Sequence, residues 1–335
     1  MPPEWAPQEC VWVCRPQNAE TWPGCLDEAI AQFEVMVEEL TKHVPVRFVD
    51  QLGLSTDDAW VRDYGPLFVT TTQPPSLSCA GSPSECNTRL AAHDFRFNGW
   101  GAKYGPHEHD DRVARQIAAH LNIPCFEHGL VLEGGSIDVN GASAVLLCES
   151  CVLNENRNIG LTRAAFESQF HGALGTTHAI WLPGGSVQGD DTDGHVDNMA
   201  RFIAPDTIAA VRAGETHPDH ETHVANWGSL EDARDQDGKP FNLVPLPAPE
   251  PIYYDYPPDR FDAGGLLPLP VSYANFLITN GAVLVPVFGQ GRDEQALSVL
   301  EQLFPGRRVV PVRCEHLAVG QGGVHCLTMQ QPEGG

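Results

Sequence analysis

The stretch RVVPVRC, at residues 308–314, gives the clearest indication of the fold: it is an apolar run of strand length that carries a proline. Similar runs, each with a proline, occur four more times: HVPVRFV at 43–49, NIPCFEH at 122–128, HAIWLP at 178–183 and FNLVPLP at 241–247. Short apolar runs bounded by turn residues are typical of β-strands. Five such strands spread along the chain predict a structural unit that is repeated.

Helices and second strands complete this unit. The clearest helical patterns lie at residues 26–42, 110–121, 162–170 and 293–304. Residues 143–147 and 282–287 each follow an Asn-Gly pair, which indicates a hairpin because both residues tolerate positive φ. Each unit is therefore a small mixed sheet with a helix. We predict an α/β fold; from the repeats alone it is either an ordinary α/β sheet with accidental similarity or five units closed into a propeller.

Composition supports a globular protein with small cationic partners. The 335 residues are 42% hydrophobic, with 32 Gly and 28 Pro, which favours many short elements. We expect one domain over residues 1–335, with a surface insertion loop at 70–90 that is rich in Ser, Pro, Thr and Gly. The formal net charge of −24 disfavours nucleic acid and anionic lipid as partners. It would attract a small cation, or it serves solubility alone.

The ten cysteines are spread thinly, and their spacing matches no zinc ribbon. The N-terminal MPPEWAPQEC lacks the features of a signal peptide, and no apolar stretch reaches the roughly 18–20 residues that span a bilayer. We therefore expect a cytoplasmic protein with mostly free thiols. Cys148 and Cys151 are interpreted as two thiols of one apolar strand rather than a redox pair, since no helix start is recognisable after them.

A metal site is the first chemical hypothesis to weigh. Residues 190–198, DDTDGHVDN, combine acids with a His-x-Asp pair, and His217, His220 and His223 follow at a spacing of three. Asp and His are common ligands. However, Pro218 and Gly214 argue against one regular helix through these histidines, and no established metal motif accompanies them. We expect no metal and no cofactor, with the acidic run forming a turn as the simplest alternative.

Three further segments suggest chemistry only when they are combined. They are the glycine-rich GQGGVHC at 320–326, DDAWVRDYGP at 57–66 and EGGSID at 133–138. Alone, they are explained by a buried thiol, an ion-paired loop and a strand end, respectively. Together they supply carboxylates that can hold a planar, forked guanidinium, a thiol that can attack its carbon and a His that can protonate the departing nitrogen.

These motifs, in this order, resemble the agmatine deiminase family of the guanidine-modifying (pentein) superfamily. The resemblance runs from Pro3-Glu4-Trp5 to Gln330-Gln331-Pro332. Its best pieces are WVRDYGP at 60–66, DFRFNGWG at 94–101, EGG at 133–135, DDTDGHVDN at 190–198, YANF at 273–276 with Asn280-Gly281, and GGVHCLT at 322–328.

The resemblance implies a five-bladed α/β propeller and a hydrolase that converts agmatine to N-carbamoylputrescine and ammonia in putrescine biosynthesis. It implies that Cys326 is the nucleophile and that Asp63 and Asp197 grip the guanidinium. His195 would be the general acid and base, and Glu133 would orient it. It also implies a homodimer.

Some assignments stay open within this resemblance. Trp60, Asp191, Gly322 and Gly323 are candidate substrate-binding residues, although a core tryptophan and a turn-capping aspartate are equally good interpretations of the first two. Arg96 stands where a neutral residue is expected, so it either meets a substrate carboxylate or forms a surface ion pair. A deiminase of free or peptidyl arginine, an amidinotransferase and a non-enzymatic polyamine-binding protein are the alternatives.

Overall fold

The computed structural model describes residues 1–71, 90–185, 187–258 and 264–334. Most of the expected insertion loop at 70–90 lies outside the described residues. The strands are β1 Gln8–Val13, β2 Val46–Phe48, β3 Leu67–Thr70, β4 Leu90–Arg96, β5 Cys125–Val131, β6 Ile137–Val139, β7 Ala144–Cys148, β8 His178–Leu182, β9 Ala200–Ala204, β10 Thr207–Arg212, β11 Asn242–Pro247, β12 Tyr253–Tyr256, β13 Gly265–Pro268, β14 Leu277–Ile278, β15 Ala282–Val287, β16 Arg308–Arg313 and β17 Thr328–Pro332.

Helices separate many of these strands. They are α1 Leu26–Thr41, α2 Val61–Tyr64, α3 Gly99–Ala102, α4 Val113–Leu121, α5 Glu149–Val152, α6 Arg163–Leu174, α7 His220–Asp232 and α8 Gly291–Leu303. The four helical patterns in the sequence correspond to α1, α4, α6 and α8. Helix α6 starts after its N-cap Thr162, whose side chain accepts a hydrogen bond from the Ala165 amide, and ends where Gly175 adopts positive φ.

Within the described ranges the strands form five three-stranded sheets and one hairpin. The sheets have the orders β17-β1-β2, β3-β4-β5, β6-β7-β8, β9-β10-β11 and β14-β15-β16, and β12 pairs with β13. Every three-stranded sheet repeats one pattern, with a central strand antiparallel to one neighbour and parallel to the other. The mixed α/β class and the repeated unit are therefore confirmed.

The proline-bearing runs of the sequence are the parallel outer strands β2, β5, β8, β11 and β16. Proline lacks an N–H for the hydrogen-bond ladder, so it is tolerated at a sheet edge and disfavoured at the centre. The central strands β7 and β15 are the segments that follow the Asn-Gly turns, and their residues are fully buried. The central strand β15 nevertheless contains Pro286, and the prolines of the runs at 43–49, 122–128 and 178–183 lie next to their strands. The repeat is therefore a proline in or beside each outer strand, not the exclusion of proline from every central strand.

The first strand of each repeat is preceded by a short loop or helical turn that carries chemically active residues. Asp63 precedes β3, Glu133 precedes β6, Asp197 precedes β9, Asn275 precedes β14 and Cys326 precedes β17. Among these first strands, β3 contacts β17 and β6 contacts β9, which brings loops from distant parts of the chain together. No helix in the described part of the chain is long and apolar enough to cross a membrane.

Candidate active site

Cys326 lies where three of these loops meet. Its side chain is buried, its Sγ lies 3.7 Å from Oδ2 of Asp197, and the Asn275 side-chain amide donates to that sulfur at 3.2 Å. Burial, followed by the charges of Asp197 and Asp63, raises the pKa of Cys326 well above its usual range. This group is therefore a thiol, and a cation bound beside the two carboxylates would favour the thiolate.

Asp197 is oriented by a buried chain of polar groups. Its Oδ2 pairs with Nδ1 of His325 at 2.8 Å, and Nε2 of the same ring pairs with Oε2 of Glu4 at 2.8 Å. Burial alone would raise the pKa of Asp197, but the hydrogen bond from His325 holds it below the ordinary value. Its other oxygen, Oδ1, is buried and has no hydrogen-bond partner among the described residues. Asp197 thus presents one acceptor that a ligand can satisfy.

Asp63 is fixed on the short helix α2. Its Oδ1 accepts the Gly135 amide at 3.0 Å, and its Oδ2 accepts the indole N–H of Trp100 at 2.9 Å. Gly135 permits this approach: a Cβ there would lie 2.8 Å from Oδ1 of Asp63 and 2.6 Å from Nδ1 of His195. The Gly-Gly pair of the EGG motif therefore lets a backbone segment pack against the charged centre.

His195 lies between two carboxylates. Its Nδ1 is 3.7 Å from Oδ1 of Asp63, and its Nε2 is 3.6 Å from Oε2 of Glu133. Burial opposes the imidazolium, but the charge of Asp63 and the proximity of Cys151 and Glu133 outweigh it, so the pKa of His195 is well above 6.5. His195 is therefore held protonated, the state that a general acid requires.

Glu133 is clamped by Arg157, a residue that the sequence analysis did not identify. The Arg157 Nε lies 3.0 Å and 2.9 Å from the two Glu133 oxygens, and its Nη2 donates to the Thr192 carbonyl at 2.9 Å. Burial would raise the pKa of Glu133, but His195 and Arg157 keep it below the ordinary value. The clamp links the Glu133 loop to the acidic loop before His195.

A cavity, whose empty space of about 430 Å³ includes open solvent, opens onto Cys326 and Asp63. Its wall also includes Trp60, Asp58 and Asp191. Among the described residues that line it, none is Lys, Arg or His. Three aspartates and no basic side chain make the cavity suitable for a small cation and unsuitable for a carboxylate.

The four candidate substrate-binding residues occupy different places. Trp60 lines the cavity and stacks at a tilt on Trp22, with ring centroids 5.3 Å apart. Asp191 also lines it, but its carboxylate meets Lys103 Nζ at 3.1 Å and the Tyr104 hydroxyl. Gly322 and Gly323 lie behind the wall: a Cβ would come 2.4 Å from the Trp60 ring at Gly322 and 2.6 Å from Oδ1 of Asn275 at Gly323.

Arg96 forms a surface ion pair, one of the two alternatives that the sequence left open. Its guanidinium pairs with Asp111 at 2.9 Å, its side chain is 59% exposed, and it does not line the cavity. Arg96 is therefore not placed to bind a substrate carboxylate in this cavity.

The acidic run 190–198 forms a turn that delivers His195 and Asp197. Asp190 accepts hydrogen bonds from Thr192 and from the Gly194 amide within the run. Helix α7 begins at His220 and leaves His217 outside, so no single helix carries the three histidines, as expected. One expectation is wrong: Cys151 lies in helix α5, which starts directly after β7, because the chain turns at Cys148.

Several residues of the site carried no clear sequence signal. Asn275, Trp100 and His325 lie inside motifs that carry the family resemblance, but no role was predicted for them. Glu4 contacts His325, which is 321 residues away in sequence, and Arg157 contacts Glu133, which is 24 residues away. Polar residues next to a Gly-rich or acidic motif were the available signal, but the partners depend on tertiary structure.

Comparisons with known proteins agree with this arrangement. Residues 1–332 match the family model described as Porphyromonas-type peptidyl-arginine deiminase. The chain is 32% identical to the agmatine deiminase of Medicago truncatula, with 99% of this chain and 96% of that protein covered. A solved agmatine deiminase of Enterococcus faecalis superposes with a TM-score of 0.88 at 28% identity, covering 100% of this chain and 96% of the other.

A more distant structure shows the fold alone. The dimethylarginine dimethylaminohydrolase (DDAH) of Pseudomonas aeruginosa superposes with a TM-score of 0.52 at 14% identity, over 97% of this chain and 99% of the other. Sheet pattern, site geometry and these similarities lead to one assignment. The chain belongs to the Porphyromonas-type peptidyl-arginine deiminase family, in the pentein superfamily with the agmatine deiminases, and it is a hydrolase of the carbon–nitrogen bonds of linear amidines.

Proposed function

We propose that this protein hydrolyses agmatine to N-carbamoylputrescine and ammonia, as a cytoplasmic homodimer of single-domain chains in putrescine biosynthesis. The observation that carries the proposal is the buried, unpartnered Oδ1 of Asp197 beside Cys326. Cys326 itself lines a cavity with three aspartates and no basic side chain among the described residues. A guanidinium N–H satisfies that oxygen, and the acidic wall favours agmatine, which carries a second cation, over arginine, which adds a carboxylate.

The bound guanidinium is held by Asp197 and Asp63. Its positive charge favours release of the Cys326 proton to solvent water in the cavity, and the thiolate then bonds to the guanidinium carbon. Protonated His195 gives its proton to the departing nitrogen, the carbon–nitrogen bond breaks, and ammonia leaves. The product of this step is an amidino-thioether on Cys326.

Water completes the reaction. Neutral His195, oriented by Glu133, takes a proton from water, and the resulting hydroxide bonds to the same carbon. The carbon–sulfur bond then breaks, which returns the electron pair to sulfur and releases the ureido product. Asp58 and Asp191 supply the negative charge that the distal ammonium meets in the cavity, and Trp60 contacts the chain between the two cations.

The test is ammonia release from agmatine and from arginine, side by side, for the wild type and Cys326→Ala, with a chelator present. Agmatine turnover that persists with chelator and disappears in the variant is the expected result. Turnover of arginine instead would keep the thiol mechanism and replace the substrate. Activity that survives Cys326→Ala would overturn the mechanism, and no release from any guanidine would favour a binding protein.

A further inference from the structure

Cys151 is a buried thiol next to the reaction centre that the proposed mechanism does not use. Its Sγ lies 3.8 Å from Oε2 of Glu133, and it contributes to the environment of His195. One donor atom each from Glu133, Cys151 and His195 lies within 4.8 Å of the other two, and all three side chains are buried. A carboxylate, a thiol and an imidazole from three separate chain segments therefore converge on one point.

The spacing of these donors suits a small tetrahedral ion. The Nε2 of His195 is 3.6 Å and the Sγ of Cys151 is 3.8 Å from Oε2 of Glu133. Zinc bonds of about 2.0–2.3 Å at the tetrahedral angle place neighbouring donors roughly 3.3–3.8 Å apart. Both separations from Glu133 fit this range, and all three donors lie within 4.8 Å of one another, so an ion could be bound after small side-chain adjustments.

Independent support comes from His195. Its side chain is 1% exposed, and neither ring nitrogen has a hydrogen-bond partner among the described residues. Buried polar atoms in native proteins are nearly always satisfied by protein, water or an ion. The Nε2 atom is directed at Glu133, so the unsatisfied position lies within the three-donor cluster.

We propose that Glu133, Cys151 and His195 form a reversible inhibitory site for Zn²⁺. Thiolate and imidazole select zinc over magnesium or calcium, which prefer oxygen ligands. Thiolate, carboxylate and neutral imidazole balance the charge of the ion, and binding displaces the protons of Cys151 and His195. Arg157, at 2.9 Å from the same Glu133 oxygen, orients the carboxylate from outside.

Inhibition follows from the position of the ion, and this part rests on the proposed function. A metal bound at Nε2 removes a proton from the His195 ring that would protonate the departing nitrogen, and it binds the carboxylate that orients the ring. Zinc at this site is an inhibitor rather than a cofactor.

Binding can be measured without turnover. In Cys326→Ser protein, which lacks the nucleophilic thiol, added Co²⁺ should give a thiolate-to-metal charge-transfer band, and equilibrium dialysis should show one bound Zn²⁺ per chain. Both signals should be lost when Cys151→Ser or Cys151→Ala is added. They should persist with Cys148→Ser, because this buried thiol contacts Met199 and lies outside the cluster.

Circular dichroism of each variant establishes that it is folded before metal is added. A band that survives in both folded Cys151 variants, or no binding at all, would overturn the site. In wild-type protein Zn²⁺ should inhibit ammonia release, and Cys151→Ser should weaken that inhibition at least about tenfold. Binding without inhibition would overturn the inhibitory role. A wild type that turns over no guanidine would instead contradict the proposed function, while the binding result would still stand.

Discussion

The protonation states of single groups at the centre of this protein depend on the charges buried beside them. Cys326 is a thiol because it is buried near two carboxylates, whereas His195 is an imidazolium because two carboxylates flank it. In the proposed mechanism the same negative charge thus weakens the nucleophile and prepares the acid. A guanidinium bound to Asp63 and Asp197 would reverse the first effect, which would make activation dependent on substrate.

The first prediction is a ligand-dependent titration of Cys326. The thiolate absorption of wild-type protein, after subtraction of the Cys326→Ala spectrum, should develop only at a pH well above the ordinary range of a cysteine. A guanidinium analogue that is not hydrolysed should move the titration to lower pH, because its charge offsets Asp197 and Asp63. A titration that is the same with and without the analogue would contradict substrate-assisted activation.

Gly135 gives the second prediction. Alanine there would place Cβ 2.6 Å from Nδ1 of His195 and 3.0 Å from Oδ2 of Asp197, so those groups must shift. A displacement approaching 1 Å typically costs about 10²-fold in rate, and we expect kcat/KM for agmatine to fall by this order. The matched control is Gly306→Ala, where a Cβ meets no heavy atom within 4 Å. Equal activity of the two variants would contradict the close packing at Gly135.

At the scale of elements, the site depends on clamps between loops. Arg157 joins the Glu133 segment to the acidic turn, with its side chain 1% exposed. Arg163, six residues later, makes a similar pair with Glu149, but those side chains are 49% and 44% exposed. Loss of the arginine should cost more free energy in the buried pair than in the exposed one, because an uncompensated charge is costly only away from water.

The third prediction compares these two arginines. Arg157→Ala leaves Glu133 buried without its partner and should lower the free energy of unfolding by about 3–5 kcal/mol. Arg163→Ala removes a solvent-exposed pair and should change it by roughly 0–1 kcal/mol. Urea unfolding at neutral pH measures both. Similar losses in the two variants would show that Arg157 is not a buried clamp.

At the scale of the whole molecule, charge affects the encounter with substrate. The net charge of −24 and the acidic cavity wall together attract a small dication. Nucleic acid and anionic membranes are repelled by the same field. Screening by salt weakens the attraction, since the Debye length falls from about 10 Å at 0.1 M to about 3 Å at 1 M.

The fourth prediction is therefore a salt effect on capture. As ionic strength rises, kcat/KM for agmatine should fall while kcat stays nearly constant, because screening acts on the approach and not on the buried chemistry. An alkylguanidine of similar length without the distal amine carries half the charge and should show a smaller slope. Equal slopes for the two compounds would mean that the acidic wall does not attract the second cation.

Local sequence patterns indicate the repeat and the candidate site residues, but not the residues that support them. Proline-marked edge strands, Asn-Gly turns and one helical period indicated the unit correctly, because each is a local property of a few residues. The unit around β1 is incomplete in local sequence, since its antiparallel neighbour is β17 at the other end of the chain. Helix α7 and the turn into α5 were not predicted, because tertiary packing overrides weak local signals there.

The sequence by itself determined the residue types for guanidinium chemistry and the loops that carry them, because each loop precedes the first strand of a repeat. Tertiary structure alone decided which partners these residues meet. It placed Glu4 on His325 and Arg157 on Glu133, sent Arg96 to the surface, and brought Cys151 to the reaction centre. These contacts depend on the packing of distant units, which sets burial and therefore charge state, and no local pattern encodes them.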